Sequence, residues 1–453
     1  MKRDLTTGSI GKTIAYFSVP YLLSYLLQTL YGMADLFIIG QFCGVEDTTA
    51  VSIGSQVMHM LTVMIVGLAM GSTVMIARFV GGKKEKEMRL AVGNTVTLFA
   101  GVSIVLLFVL LLLVHPIVSV MSTPDEAVSG TVAYLTICFI GVPAIVAYNI
   151  ISSIFRGMGD SKSPMYYIAI ACGCNILLDL LFIGKLSMGA AGAALGTTIA
   201  QAISVVISLV MIWKRKMIGD ITKTDFRPQK EMMKNIFKVG FPVSMQDGFV
   251  QISFLIITVF ANQRGLNDAA AVGVVEKLIG ILFLIPSTML STVSALAAQN
   301  IGAGRHDRAK QILRYALGIA VGFGVAASLA MQVLAEPAVG LFVDDQTVRI
   351  LGGQYMRSYV WDCVFAGMHF CYSGYFCAYG RSNLSFLHNA ISILFARIPL
   401  AYFASVYFTD SLFPMGCAAP IGSVLSVIVC VIALRWMFAR KEIKNCETHE
   451  LRK

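Results

Sequence analysis

The chain has 453 residues, 57% hydrophobic and 13% charged, whereas a soluble domain carries about 25% charged residues, so it lacks the polar surface to cover a water-soluble globule of this length. Its net charge of +10 does not indicate a nucleic-acid binder, because 29 of the 35 Lys and Arg lie in alternate connections between long apolar stretches, with no compact basic domain. Its solvent must largely be lipid.

The N-terminus opens with polar Lys2-Arg3-Asp4, and the apolar stretch that follows is too long for the core of a cleaved signal, so it is expected to remain as the first helix. Six candidate spans come first, at 14–39, 51–77, 91–114, 128–150, 164–184 and 188–213. Six more follow at 239–262, 269–298, 313–335, 352–378, 384–408 and 415–438. Each reaches the roughly 20 residues that a 30 Å hydrocarbon core requires of a helix. The expected division is a first lobe over 1–213, a basic cytoplasmic linker over 214–238, a second lobe over 239–438 and a tail over 439–453. Pro20, Pro143, Pro242, Pro286, Pro399 and Pro420 interrupt spans and mark elements that bend.

Basic residues gather around Lys2–Lys12, Arg78–Arg89, Arg156–Lys162, Lys214–Lys238, Arg305–Arg314, Arg381 and Arg435–Lys453. The opposite connections favour acid, as in Glu46-Asp47, Asp125-Glu126 and Asp344-Asp345. This asymmetry implies a multi-pass protein of the cell membrane with both termini in the cytoplasm. The ten cysteines lie mostly inside apolar stretches without zinc spacing, so they read as small hydrophobes rather than metal ligands or disulfides.

The two sets of six spans match at an offset of 221: Ala50-Val51 with Ala271-Val272, Gly81 with Gly302, Pro116 with Pro337, Tyr134 with Tyr355, Gly159 with Gly380 and Ser161 with Ser382. Six spans return the chain to its starting side, so the copies have the same orientation and are expected to be related by an axis along the membrane normal, the architecture of a transporter. After the fifth span the offset drifts, so that Gly196 answers to Gly422 and Lys214 to Arg440. A short insertion between Tyr402 and Pro414 accounts for this.

An ionisable side chain in mid-membrane costs on the order of 2.5–3.5 kcal/mol on insertion scales, so each one needs a reason. The survey singles out Asp35, Asp179, Glu276, Lys277, Asp362 and Arg397. Asp35 and Asp179 each lie about five residues before the outer end of an outward-running span, hence at similar depth, roughly 7 Å below that edge at 1.5 Å per residue. Asn175 lies one turn before Asp179 on the same helical face, and Tyr134 and Thr197 bring hydroxyls to the same level. Two carboxylates in a poorly hydrated cavity cannot both stay ionised cheaply, so this layer reads as a site for a proton or a sodium ion. The offset pairs Asp35 with Ile256 and Asp179 with Leu400, so the acids do not repeat while the scaffold does. In the second lobe Gln251, Glu276, Asp362, with Arg397 as its candidate partner, and His369 are candidates to line a substrate cavity.

The segments Tyr31-Gly-Met-Ala-Asp-Leu-Phe-Ile-Ile-Gly40, Ala77-Arg-Phe-Val-Gly-Gly82, Phe155-Arg-Gly-Met-Gly-Asp160, Asn175-Ile-Leu-Leu-Asp179, Gly189-Ala-Ala-Gly-Ala-Ala-Leu-Gly196 and Ala298-Gln-Asn-Ile-Gly-Ala-Gly304, in this order, resemble the multidrug and toxic compound extrusion (MATE) family over nearly the whole chain. The resemblance implies an all-α membrane protein of twelve transmembrane helices, in two six-helix lobes set in a V, that exports cationic or amphipathic compounds in exchange for H⁺ or Na⁺. It implies that Asp35, Tyr134, Asn175, Asp179 and Thr197 form the ion-responsive cluster. Another branch of the family has a glutamate in the seventh span where this chain offers Gln251, a departure that puts a second-lobe sodium site in doubt, although Asp362 matches an acidic position of the tenth span.

The expected protein is therefore a monomeric secondary antiporter for drug-like small molecules, in contact with lipid and not with nucleic acid. It is expected to need no cofactor and no metal beyond Na⁺ at the first-lobe cluster, and not to be an enzyme. A related lipid-linked oligosaccharide flippase is the alternative, which favours a basic cavity where this chain places acids. The run Gly157–Ser163 lacks the Walker spacing of a nucleotide-driven pump. The Gly81-Gly82-Lys83 connection lacks the Asp-Arg signature of a major facilitator transporter.

Overall fold

The computed structural model describes residues 4–215, 218–219 and 221–439; Lys2, Arg3, Lys216 and nearly all of the expected tail lie outside the described residues. All regular structure among the described residues is helical, which is what a lipid solvent enforces, since a helix satisfies its backbone N–H and C=O groups internally. The helices are α1 Ile10–Phe42, α2 Val45–Gly81, α3 Glu85–Val120, α4 Asp125–Ile140, α5 Val142–Gly157, α6 Lys162–Asp179 and α7 Gly189–Arg215. In the second half come α8 Lys230–Arg264, α9 Leu266–Leu282, α10 Leu284–Gly302, α11 His306–Gly340, α12 Gln346–Tyr359, α13 Asp362–Ala378, α14 Ser382–Ser392, α15 Ile398–Tyr407 and α16 Phe413–Ala439. Wider π-helical turns follow α6 at Leu180–Lys185 and α14 at Ile393–Arg397.

The chain divides into two compact units, one of Asp4 with Ala15–Gly240 and one of Leu5–Ile14 with Phe241 onward. Residues 5–14 thus group with the second half rather than with the first lobe, to which the sequence assigns them. Leu5 is fully buried there, Asn300 donates to the Leu5 carbonyl at 3.3 Å, Arg305 to that of Thr6 at 2.7 Å, and Arg308 to those of Thr7 and Gly8. The expected linker is also largely structured. The single turn Lys223–Phe226 docks on α3, with Thr97 donating to the Phe226 carbonyl and Asn94 accepting from the Gln229 N–H, both at 2.7 Å. Residues 230–240 of α8 then pack on α2 backbone to backbone, with Gly71 against the Ile236 carbonyl and Gly240 against that of Leu68. Small residues allow this approach in membrane helices.

Among the described residues ten helical segments are long and apolar enough to cross a membrane, and α4 with α5, bent by 49°, makes an eleventh. The expected tenth span, α12 with α13, does not reach that apolarity. It carries Arg349, Arg357, Asp362 and His369 and breaks at Val360-Trp361. Both halves break their fourth span at the same register, for Gly141 between α4 and α5 answers at 221 positions to Asp362, the first residue of α13. A Cβ at Gly141 would overlap Thr198 of α7. Asp362 instead lies where free N–H groups and the helix dipole favour negative charge.

The repeat reaches the backbone. Lys83 and Gly304, 221 apart, both adopt positive φ (54° and 72°), as do Gly159 and Gly380 (87° and 69°). Each of the last two ends its helix with the same hydrogen bonds, Gly159 N–H to Arg156 O and Asp160 N–H to Phe155 O in the first half, Gly380 N–H to Cys377 O and Arg381 N–H to Phe376 O in the second. Such αL termination satisfies carbonyls the helix leaves open.

Candidate functional site

In the first unit α1, α6 and α7 bring Asp35, Asn175, Asp179 and Thr197 into one network. Asp35 is 5% exposed, Asn175 1% and Asp179 0%, which buries two carboxyl groups in a single pocket. Thr197 Oγ1 donates to Asp35 Oδ2 at 3.1 Å, and Asn175 Nδ2 lies 3.4 Å from Asp179 Oδ2 and 3.5 Å from Thr197 Oγ1. The two carboxyl groups are thus neighbours, linked through Thr197 and Asn175. The remaining oxygens, Asp35 Oδ1, Asp179 Oδ1 and Asn175 Oδ1, accept no hydrogen bond from the described residues. Three buried oxygen acceptors of this kind suit a shared proton or a hard cation.

The surroundings explain how the pocket forms. A Cβ at position 196 would overlap Asp179 Oδ1, so Gly196 is what lets the carboxylate lie against α7. The π-helical turn begins immediately after Asp179, and a wider turn of this kind re-aims side chains at functional sites. Tyr31, one turn before Asp35, meets Gln201, one turn after Thr197, at 3.5 Å from Nε2 to the hydroxyl. Tyr31, Gly196 and Gln201 join the site beyond the residues expected from the sequence, and helical spacing from Asp35 and Thr197 marks the two polar ones. Tyr134 of α4 packs its ring on Gly54 of α2 and puts its hydroxyl beside the Cys138 thiol. It makes no hydrogen bond to either carboxylate, so it walls the pocket.

In the second unit the charged residues also converge. Thr258 of α8 donates to Glu276 Oε2 of α9 at 3.3 Å. Arg397, in the second π-helical turn, donates from Nη2 to the Tyr359 hydroxyl at 2.6 Å, and its guanidinium lies 4.6 Å from the Phe254 ring centroid. The expected ion pair between Arg397 and Asp362 is not formed; Nη2 goes to Tyr359 and Nε has no partner among the described residues. Asp362, 1% exposed, has no hydrogen bond at either oxygen, and Glu276 Oε1 has none either. Both acids nevertheless lie in the field of the guanidinium. His369 is buried with its ring 5.4 Å from that of His388, which bridges Ser373 and Ser426 at 2.7 and 2.6 Å. Gln251 is half-buried and joins none of these contacts. One turn before it stands Asp247, a half-buried carboxylate in α8 outside the acids expected from the sequence.

The sequence profile of the MatE family matches this chain twice, over residues 20–181 and 242–403. The chain belongs to the MatE family. The matches start 222 positions apart, and each covers the first five spans of one half. Among relatives of this MatE chain, the probable multidrug resistance protein YoeA of Bacillus subtilis is 25% identical over 442 residues, 96% of each chain. The multidrug export protein MepA of Staphylococcus aureus is 24% identical over 390 residues, 85% of this chain and 86% of its own. Two solved structures share the fold at 23% identity and 98% coverage of both chains: an outward-facing multidrug resistance MATE transporter of the MOP superfamily, with a TM-score of 0.88, and a MOP superfamily transporter of Pyrococcus furiosus described by the reverse polarity of its binding pocket, with a TM-score of 0.89. The all-α, two-half architecture expected from the sequence is therefore that of MATE transporters, and this MatE chain is a multi-span membrane protein.

Proposed function

We propose that this chain is a secondary multidrug antiporter that exports cationic or amphipathic organic compounds in exchange for H⁺ or Na⁺. The reading is carried by the neighbouring pair Asp35 and Asp179, with three buried oxygens unmatched by any donor among the described residues. Binding of one cation between the carboxyl groups relieves their repulsion, and its departure restores it, so occupancy biases the packing of α1 against α6 and α7. Moving one charge through 100 mV supplies about 2.3 kcal/mol, enough to drive a useful substrate gradient. No cofactor or nucleotide enters this cycle, the working unit is the monomer, and both termini face the cytoplasm, in keeping with the distribution of Lys and Arg. The names of YoeA and MepA, covered over most of their length, support the drug-export reading.

The test is efflux from proteoliposomes under imposed pH or sodium gradients. Wild-type protein is expected to move an organic cation against its gradient, and Asp35→Asn and Asp179→Asn to lose gradient-driven transport. Full efflux by both variants would overturn the assignment of the coupling site.

A further inference from the structure

Arg156 and Arg397 are the most buried arginines among the described residues, each 8% exposed. Arg397 has an acceptor in Tyr359, and other arginines placed by the packing find oxygens too. Arg264 reaches the carbonyls of Phe408 and Thr409, Arg305 that of Thr6, and Arg357 both Glu336 Oε1 and the Gln332 carbonyl. Arg156, in the last turn of α5, makes no hydrogen bond and no ion pair with another described residue. Its guanidinium carbon lies 4.9 Å from the ring centroid of Tyr21 on α1. The neighbouring acid Asp160 is already engaged, accepting from the N–H groups of Lys162 and Ser163 at 3.0 Å and from Ser163 Oγ at 2.6 Å. The ring and the carbonyl end of α5 offset part of the cost of burying the cation, but neither supplies acceptors for a five-donor fork.

The groups around the guanidinium are donors as well. Ser152, one turn earlier on α5 and 2% exposed, has an Oγ without a partner. Tyr148, two turns earlier, uses its hydroxyl on the Pro164 carbonyl at 3.2 Å, and the Tyr21 hydroxyl donates to that of Tyr25 at 2.9 Å. Exposed Lys162 stands on the next helix with its ammonium over the Tyr16 ring, which adds positive potential at the same end of the unit. In the second half the positions 221 further on are His369, Ser373 and Cys377, where Ser373 is bonded to His388 and no cation is present. The arrangement is therefore peculiar to the first unit.

We propose that Arg156 is the centre of a phosphate-binding site, with the guanidinium fork taking two oxygens of one phosphate, Ser152 able to donate to a third, and Tyr21 bracing the face of the fork. The phosphate is presented by an anionic lipid headgroup or is free in solution. The end of α5 leads into the basic Arg156–Lys162 connection, where charge of this sign attracts anionic headgroups. This inference does not depend on the coupling ion or on the exported compound.

The experiment is thermal unfolding of the purified full-length chain in neutral detergent, titrated with phosphatidylglycerol, phosphatidylcholine or, at matched ionic strength, inorganic phosphate against chloride. Wild-type protein is expected to gain stability saturably with phosphatidylglycerol if the source is lipid, and with inorganic phosphate if it is soluble. Arg156→Gln is expected to raise the half-saturating concentration about tenfold or more, whereas Lys86→Gln, an exposed control, leaves it unchanged. Absence of a saturable shift in the wild type with either ligand overturns the site, as does an unchanged half-saturation in Arg156→Gln. Should Arg156→Gln fail to fold, Arg156→Lys keeps the charge without the fork; weaker binding is expected from it, and wild-type half-saturation overturns the proposal.

Discussion

Gly196 does for the carboxylate pair what no polar residue could, because its missing Cβ leaves room for Asp179 Oδ1. Gly196→Ala is therefore expected to displace that carboxylate and to cost roughly 1–3 kcal/mol of overpacking. In proteoliposomes its gradient-driven efflux should fall about as far as that of Asp179→Asn, although no ionisable group is removed; wild-type efflux would show that the pocket has slack. In the second unit the guanidinium of Arg397 compensates two acids that it does not touch. Arg397→Met should lower the thermal stability of the detergent-solubilised protein by about 3–5 kcal/mol, the usual result of leaving a buried charge uncompensated. Adding Asp362→Asn should recover part of that loss, and a strictly additive double variant would show that the two residues are independent.

At the scale of elements, equivalent corners of the two halves are held by different chemistry. Asp47 accepts from the Ala190 N–H at 3.0 Å at the start of α7. Its counterpart 221 residues on, Asp268, holds the Arg264 guanidinium. That guanidinium in turn gathers the carbonyls of Ser405 and Phe408 at the end of α15 and those of Thr409 and Ser411 beyond it. The insertion read between Tyr402 and Pro414 is thus tied down by one arginine. Arg264→Ala should cost about 2–4 kcal/mol, since several carbonyls lose a charged donor at once. The loss should appear as a lower unfolding midpoint together with faster proteolysis at residues 408–412. The helix breaks follow from similar local logic. The bend at Gly141 and Pro143 was legible because Pro and Gly are local signals. That at Asp362 was not, because its span shows no Pro and reads as one long helix.

For the molecule as a whole, the two halves do not divide where the composition changes. Helix α1 leaves the second unit's grouping after Ile14, and α8 leaves the first unit's grouping after Gly240, two residues before Pro242. The segment Leu5–Ile14 is held by Asn300, Arg305 and Arg308, so deletion of residues 1–9 should destabilise the second unit. Limited proteolysis at the turn 303–305 between α10 and α11 reads this directly, and a cleavage rate equal to that of the full chain would mean that the segment holds nothing.

The sequence by itself determined the lipid solvent, the helical class, the duplicated halves and the short roster of intramembrane acids, since hydropathy, a fixed offset and the rarity of buried charge are properties of the chain in one dimension. It also placed Asp35, Tyr134, Asn175, Asp179 and Thr197 near one depth, because rise per residue converts position into height, although Tyr134 bonds to neither carboxylate. The tertiary structure alone decided which side chains meet, for that depends on the rotation and tilt of helices far apart in the chain. The meeting of Asp35 and Asp179, the place that Gly196 leaves, the choice by Arg397 of Tyr359 over Asp362 and the isolation of Arg156 all follow from how the helices turn about their axes, which no local pattern records.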